Sequence, residues 1–282
     1  MRGDLSAKSR KMAQRLRSLI RKKCVAMPGA FNAGTARLVE QAGFDAVYVS
    51  GAGLSNATGG VPDIGLLSRD EVALLGGYVA AAVDIPALVD ADTGFGDCGL
   101  TVKRFVRAGI AAMQIEDQVP AKRCGHLGGK RLVSADAMVK RIVSAARGRG
   151  SGNFVIVGRT DARAVEGFDQ AVRRAEKYLE AGADVIFPEA MQSGEEFAEF
   201  ARRVKAPLLA NMTEFGKSPL LTIEELSEMG YRIVIFPQTA FRIGMKAQEI
   251  ALRELLESGT QKALVGKMQT RDELYALLKY RP

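Results

Sequence analysis

Short β-rich runs alternate with helix-period segments along almost the whole chain, and this alternation constrains the fold more than any other feature. Strands that alternate with helices form parallel sheets. Eight such units in about 250 residues match the size of a closed (β/α)8 TIM-type barrel. An open doubly wound sheet is the alternative, but no G-x-G-x-x-G turn follows the first run. The predicted strands are 24–27, 46–49, 87–89, 111–115, 154–157, 184–187, 207–210 and 233–236.

Local signals mark the ends of several helices between these strands. Ser134 followed by Asp136 is typical of a helix start, and Gly43, Gly109 and Gly182 follow the last turns of three other helices. No composition break divides the chain, so we expect one α/β domain over residues 1–282. The predicted helices are 34–43, 69–83, 99–108, 134–148, 168–181, 194–204, 222–229 and 239–257, and a final segment at 260–282 lies beyond them.

The net charge of +8 comes from an N-terminal arm. Residues 1–23 hold nine basic residues and one acid, which leaves 31 of the 40 basic and 31 of the 32 acidic residues in the rest of the chain. A basic arm could bind nucleic acid or serve as a mitochondrial transit peptide. We favour a helix with Met12, Leu16, Leu19 and Ile20 on one face, because the arm runs into the first strand without a linker. The favoured interpretation therefore includes no nucleic-acid partner.

The cysteine content and the apolar runs bear on the compartment. Cys24, Cys98 and Cys124 are few, odd in number and without metal-finger spacing, which favours a reducing cytoplasm. The longest apolar runs are strand-sized, so we expect no membrane span.

Polar residues follow seven consecutive predicted strands. In a barrel these positions share the rim where catalytic groups lie. They are Tyr48 and Ser50 to Gly53 after the second strand, Asp90 and Asp92 after the third, Glu116 and Asp117 after the fourth, Arg159 and Asp161 after the fifth, Glu189 after the sixth, Asn211 and Thr213 after the seventh, and Gln238 after the eighth.

Three of these acids suggest a metal site. Asp90 and Asp92 are two residues apart and would point the same way along an extended segment, with Glu116 on the next strand. Mg²⁺ prefers a few carboxylates and keeps several waters, and the lack of nearby histidine argues against zinc. For Asp117 and Asp161, a role as a turn or helix-capping acid remains an equal alternative.

The turn Ser50-Gly51-Ala52-Gly53 and Arg159 suggest anion binding. Backbone N–H groups in a glycine-rich turn can converge on a carboxylate or phosphate. Arg159 could clamp a carboxylate with two hydrogen bonds, or it could pair with Glu189 or Glu116 inside the barrel mouth.

The segment 118–131 after the fourth strand is the sharpest feature of the sequence. It contains Cys124 and the chain's single histidine, His126, flanked by Lys122, Arg123 and Lys130. Cations near a thiol lower its pKa and increase the thiolate fraction. This setting favours an acid/base role for Cys124, whereas Cys24 and Cys98 have no such surroundings.

Several motifs resemble the 2-methylisocitrate lyases, a family within the isocitrate lyase/phosphoenolpyruvate mutase superfamily, and nearly the whole chain is covered. The motif K-R-C-G-H is typical of the lyase branch, and the turn after the second strand reads S-G-A-G where many relatives have S-G-G-G. The motifs are D-A-D-T-G-F-G at 90–96, E-D-Q at 116–118, K-R-C-G-H at 122–126, N-M-T-E-F-G at 211–216 and M-Q-T-R-D-E-L-Y at 268–275.

The resemblance implies a fold and an activity. The fold would be a barrel with an N-terminal helix and a C-terminal helix swapped between partners, in a homotetramer built as a dimer of dimers. The reaction would be Mg²⁺-dependent cleavage of the tricarboxylate 2-methylisocitrate to pyruvate and succinate, in the methylcitrate route of propionate breakdown, with Mn²⁺ as a possible substitute. Related lyases acting on 2,3-dimethylmalate, isocitrate or oxaloacetate are the alternative.

The resemblance also implies roles for particular residues. Mg²⁺ would be held by Asp90, with Asp92, Glu116 and Asp63 acting mainly through waters. Tyr48 or Arg159 would help to remove the hydroxyl proton. Cys124 would protonate the carbanion that leaves as succinate, and His126 would assist this catalysis by orienting the loop. The substrate would be bound by Ser50, Gly51, Ala52, Gly125, His126, Arg159, Glu189, Asn211 and Thr213.

Overall fold

The structure is a computed structural model that describes residues 4–120 and 128–281. All eight predicted strands are present, with ends that differ from the predictions by three residues at most. They are β1 (Val25–Pro28), β2 (Val47–Val49), β3 (Ala87–Asp90), β4 (Ala112–Glu116), β5 (Val155–Thr160), β6 (Val185–Pro188), β7 (Leu209–Asn211) and β8 (Ile233–Phe236).

The strands form a closed parallel barrel, so the open-sheet alternative is wrong. Strands β2 to β6 pair in order, and β7 and β1 flank β8. Parallel bridges at Gly29–Tyr48 and Ile186–Leu208 join these two groups into a ring. The register places Asp90 beside Gln114 and Glu116 beside Arg159. The carboxyl ends of neighbouring strands therefore bring their polar residues to one rim.

The helices between the strands also agree with the sequence. Ser134 caps one of them through its side chain, and Gly43, Gly109 and Gly182 have positive φ angles where helices end. The helices are α1 (Leu5–Lys22), α2 (Ala33–Gln41), α3 (Gly51–Leu54), α4 (Arg69–Ala82), α5 (Cys98–Arg107), α6 (Ala135–Arg149), α7 (Phe168–Glu180), α8 (Gly194–Arg203), α9 (Ile223–Glu228), α10 (Thr239–Ser258) and α11 (Arg271–Leu278).

Helix α1 closes the amino-terminal end of the barrel. Leu16 and Ile20 pack among the apolar side chains of the barrel interior. Arg17 pairs with Asp184 at 2.8 Å, and Lys23 pairs with Asp45 at 2.6 Å. The prediction of an amphipathic helix is confirmed for its apolar face.

The C-terminal helices differ in how they pack. Helix α11 packs against α2, where Leu277 is buried and Arg37 Nη1 donates to the carbonyl oxygen of Leu277 at 3.3 Å. Helix α10 buries no side chain within this chain, and its exposed apolar residues include Ile243, Leu252 and Leu256. The predicted swap of a C-terminal helix concerns a second copy and stays a prediction. Within the described ranges, no helix has the length and apolarity that crossing a bilayer requires.

Candidate active site

A cavity of about 310 Å³ opens at the carboxyl-terminal rim of the barrel. Volumes of this order are at the small end of ligand sites in proteins. Most of the residues predicted for the site line it together, namely Tyr48, Ser50, Ala52, Asp63, Asp90, Glu116, Arg159, Glu189, Asn211 and Thr213.

Asp90 lies at the end of β3 with a fixed carboxylate. Its Oδ1 accepts from Gln114 Nε2 at 3.3 Å and from the Asp92 backbone N–H at 3.1 Å. The expectation of an extended segment through Asp92 is wrong, because Asp92 has a φ of 48° and turns away from the strand. The two carboxylates are nevertheless neighbours, since both lie next to Gly51.

Gly51 leaves the space in front of Asp90 open. The predicted glycine-rich turn is the short helix α3, which Ser50 caps by accepting from the Gly53 N–H at 3.2 Å. A Cβ at Gly51 would lie 3.1 Å from Asp90 Oδ2 and 3.5 Å from Asp92 Oδ1. The first N–H groups of a helix have no partner within it, so this turn still presents donors to a ligand.

The acids fit a cation that binds few protein oxygens directly. Across residues 4–120 and 128–281, no group of three or more His, Cys, Asp or Glu side chains is arranged to hold a metal ion. Mg²⁺ does not need such a cage, because it usually keeps several waters and takes one or two carboxylates. Asp90 beside the open space at Gly51, with Asp63 and Glu116 on the same cavity, matches that donor set.

Arg159 is the central cation of the site. Its Nε and Nη2 bind the two oxygens of Asp161 at 2.9 and 3.1 Å, and its guanidinium lies 5.1 Å from the centre of the Phe187 ring. Its Nε is also 3.3 Å from Glu116 Oε2, and its Nη2 is 3.7 Å from Glu189 Oε1. The predicted ion pairs in the barrel mouth are therefore confirmed.

The pKa of Arg159 is set by these neighbours. Burial acts to lower the pKa of the guanidinium, but the attraction of Asp161, Glu189 and Glu116 outweighs burial and raises the pKa well above its ordinary value. Arg159 is consequently a permanent cation that can donate hydrogen bonds.

Tyr48 is a buried phenol beside the acids. Its hydroxyl donates to Gln114 Oε1 at 3.1 Å, and Gln114 in turn donates to Asp90. Burial, followed by the charge of Asp90, raises the pKa of Tyr48 well above 10. The hydroxyl thus keeps its proton.

The far side of the cavity comes from β6 and β7. Asn211 Nδ2 lies 3.5 and 3.4 Å from the two carboxylate oxygens of Glu189, and Thr213 lines the cavity just beyond. The amide and hydroxyl groups supply neutral donors opposite the acidic side of the site.

Asp117 and Asp161, whose roles the sequence left open, both make buried contacts beneath the cavity. Asp117 accepts from Thr160 Oγ1 at 2.7 Å, from the Asp161 N–H at 2.9 Å and from the Tyr178 hydroxyl at 2.8 Å. Asp161 makes no capping hydrogen bond to the turn that follows it. Asp161 therefore does not cap a helix through its side chain, but neither acid lines the cavity, and their place in a buried hydrogen-bond network beneath it agrees with the structural alternative.

Some residues at the site could not be found from the strand ends alone. Arg242 and Phe241, in the first turn of α10, and Asn56, after α3, line the cavity. The sequence signal that could have indicated Arg242 is a cation in the first turn of the helix that follows the last strand. Lys130 was predicted to be a flanking charge, whereas it forms a buried ion pair with Asp161 at 2.7 Å.

The predictions at Cys124, Gly125 and His126 lie outside the described residues, as do those at Lys122 and Arg123. The acid/base role of Cys124 therefore stays a prediction.

A closed barrel with acids, a fixed arginine and helix N–H groups around one cavity at its carboxyl rim defines a (β/α)8-barrel enzyme. Residues 16–256 match the phosphoenolpyruvate phosphomutase family. The chain belongs to this family, which agrees with the superfamily that its motifs indicated.

Individual relatives are similar over most of their length. A protein of Aeropyrum pernix named 2-methylisocitrate lyase is 54% identical over 94% of this chain and 86% of its own. A solved structure of 2,3-dimethylmalate lyase has a TM-score of 0.90 and 33% identity, covering 96% of this chain and 91% of that one. A solved phosphonopyruvate hydrolase complex with oxalate and Mg²⁺ has a TM-score of 0.83 and 27% identity, covering 98% and 95%.

Proposed function

We propose that this chain is a Mg²⁺-dependent carbon–carbon lyase that cleaves 2-methylisocitrate to pyruvate and succinate. The observation that carries the proposal is the pairing, in one cavity, of the open space at Asp90 with the fixed cation of Arg159. A retro-aldol cleavage of a polycarboxylate needs a Lewis acid at the hydroxyl and cations or N–H donors at the carboxylates. The 54% identity to a protein named 2-methylisocitrate lyase supports this choice of substrate.

Asp90 would hold the magnesium ion, with Asp92, Glu116 and Asp63 acting through its waters. The bound ion would polarise the hydroxyl and carboxylate at the end of the substrate that becomes pyruvate. The similar phosphonopyruvate hydrolase was solved as a complex with oxalate and Mg²⁺, which supports a magnesium ion here.

The remaining side chains would orient the substrate carboxylates. Ser50, Gly51 and Ala52 would bind the pyruvate end through hydroxyl and N–H donors of α3. Arg159 and Arg242 would bind carboxylates, because both are cations that line the cavity. Glu189, Asn211 and Thr213 would complete the far wall of the substrate site.

The proton steps follow from the pKa values. Tyr48 and Arg159 both have raised pKa values, so each would help the hydroxyl proton to leave by donating a hydrogen bond to the developing oxyanion, and the proton itself would pass to a carboxylate that lines the cavity, Glu116 or Glu189. Cys124 would donate the proton to the carbanion that leaves as succinate, and Gly125 and His126 would bind and orient this end of the substrate.

A panel of substrates tests the proposal. With Mg²⁺ and a coupled pyruvate assay, 2-methylisocitrate should give the highest kcat/KM, above isocitrate, 2,3-dimethylmalate and oxaloacetate. Much faster cleavage of 2,3-dimethylmalate, the substrate named for the similar structure, would overturn the choice of substrate but not the lyase class.

Removal of the thiol tests the acid role. Cys124→Ser should lose most of the turnover while the melting temperature stays unchanged. Cys24→Ser is the matched control, since Cys24 is a half-buried free thiol beside β1 at the opposite end of the barrel. Turnover by Cys124→Ser close to that of Cys24→Ser would refute the role.

We also propose a homotetramer in which α10 packs against another copy. A 20-residue helix with several exposed apolar residues and no buried side chain is the support for this assembly.

A further inference from the structure

A single buried carboxylate bridges two cations beneath the cavity. Lys130 Nζ lies 2.7 Å from Asp161 Oδ1, and the two side chains are 1% and 0% exposed. The same Asp161 carboxylate binds Arg159 through both of its oxygens, at 2.9 and 3.1 Å. Lys130 and Arg159 therefore share one oxygen, Oδ1, of a fully buried carboxylate.

Two other acids compete for the same guanidinium. Glu116 Oε2 lies 3.3 Å from Arg159 Nε, and Glu189 Oε1 lies 3.7 Å from Arg159 Nη2. Both carboxylates line the cavity, whereas Asp161 does not. Since Asp161 is the nearest and the only bidentate partner among the described acids, it decides which way the guanidinium is turned.

Without Asp161, the guanidinium would have Glu116 and Glu189 as its nearest anions. A closer pair with Glu116, which already lies 3.3 Å from Nε, would engage more strongly a carboxylate proposed for the metal waters, and it would withdraw Arg159 from a substrate carboxylate. Lys130 opposes this outcome, because it fixes the Asp161 oxygen that Arg159 Nη2 uses.

We propose that Asp161 and Lys130 are positioning residues, which hold Arg159 in the orientation that serves the substrate and keep its contact with Glu116 at one nitrogen, Nε. The inference rests on the proposed function in assigning a substrate carboxylate to Arg159. Neither residue is among the described residues that line the cavity, so both would act through Arg159.

Steady-state kinetics of Asp161→Asn provides the first test. This change keeps the shape of the side chain and removes its charge. We expect KM for 2-methylisocitrate and the Mg²⁺ concentration for half-maximal activity each to rise about tenfold or more, with a smaller fall in kcat. A merely structural role would lower stability without moving the Mg²⁺ requirement.

Lys130 variants test the contact between Lys130 and Asp161. Lys130→Met should shift KM in the same direction by a smaller factor, and Lys130→Arg, which keeps the charge, should largely restore it. Because Lys130 acts through Asp161, the double variant Lys130→Met/Asp161→Asn should be no worse than Asp161→Asn alone. A wild-type KM in Lys130→Met, or additive effects in the double variant, would overturn the role of Lys130.

Asp184→Asn is the matched control. Asp184 also bridges two cations, Arg149 at 2.5 Å and Arg17 at 2.8 Å, but it does so beside α1 at the opposite end of the barrel. Its loss should lower the melting temperature and leave KM and the Mg²⁺ requirement unchanged. If Asp161→Asn behaves in the same way as Asp184→Asn, Asp161 is only structural.

A crystal structure of Asp161→Asn separates this inference from the proposed substrate. The Arg159 guanidinium should turn toward the remaining acids, so that Nη2 comes closer than 3.7 Å to Glu189 Oε1 or Nε closer than 3.3 Å to Glu116 Oε2, whatever the enzyme cleaves. An unmoved guanidinium would overturn the positioning role. Failure of the wild type to cleave 2-methylisocitrate would instead overturn the proposed function. If Asp161→Asn does not fold, the Lys130 variants decide.

Discussion

Replacement of Gly51 by alanine should raise the Mg²⁺ concentration needed for activity without lowering the stability of the fold. The new Cβ would lie 3.1 Å from Asp90 Oδ2 and 3.4 Å from Asp90 Cγ. Ordinary van der Waals contact begins near 3.4 Å, so the carboxylate must move by about 0.3 Å. Asp90 cannot retreat freely, because Gln114 and the Asp92 N–H both hold its Oδ1.

The size of this effect on the Mg²⁺ requirement follows from how closely a metal site must keep its metal–ligand distances. Ligand distances are usually met within about 0.2 Å, so a shift of about 0.3 Å lies outside that range. Disturbing the groups that orient a ligand typically changes metal affinity by about 10- to 100-fold. We therefore expect the Mg²⁺ concentration for half-maximal activity to rise at least about tenfold in Gly51→Ala.

The stability of this variant should change little. Gly51 is the first residue of the four-residue helix α3 and has no positive φ, so alanine fits the backbone there without strain. The assay is a Mg²⁺ titration of turnover, combined with a thermal melt in the presence of a chelator. Gly34→Ala in α2 is the control, since its nearest neighbour would be Asn32 Oδ1 at 3.4 Å, outside the site.

A Gly51→Ala enzyme whose Mg²⁺ requirement stays within twofold of the wild type would refute the reasoning. That result would mean that the open space in front of Asp90 is not where the cation binds. A large loss of stability would refute the steric argument in a different way, because it would indicate that the helix rather than the carboxylate absorbed the clash.

Three further outcomes are expected. Leu16→Ala should lower the free energy of unfolding by about 2–5 kcal/mol in urea denaturation, with the Mg²⁺ requirement unchanged, because Leu16 is fully buried in the barrel interior. Burial raises the pKa values of Tyr48, Tyr178 and Tyr231. Above about pH 10 the unfolded chain therefore loses protons that the folded chain keeps. The free energy of unfolding should consequently fall by up to about 1.4 kcal/mol per pH unit for each tyrosine. Urea unfolding between pH 8 and pH 11 should show this fall, with a smaller slope in Tyr231→Phe; a flat wild-type profile would contradict the assignment. Leu256→Glu on α10 should reduce the mass measured by light scattering, and a wild type that is already monomeric would end the tetramer proposal.

The sequence by itself determined the barrel and most of its rim. Strand and helix positions follow from periodicity and capping signals, which are local, and all eight strands lie where the pattern predicted them. Parallel pairing then forces the carboxyl ends of the strands together, so residues such as Asp90 and Asn211 could be assigned to one cavity before any contact was known. The N-terminal helix was predictable for the same reason, because its apolar face is a local pattern and such a face packs against another apolar surface.

Only the tertiary structure decided which charged residues at the rim line the cavity and which are buried beneath it. Asp117 and Asp161 follow strands just as Asp90 does, yet they face inward beneath the cavity and bind Arg174 and Arg159. Asp92 turns into a left-handed conformation that no spacing rule signals, and Arg242 reaches the cavity from a helix. Periodicity fixes which residues share an edge, whereas the partner of a charge depends on distances of a few ångströms between segments remote in sequence, and these exist only once the barrel has closed.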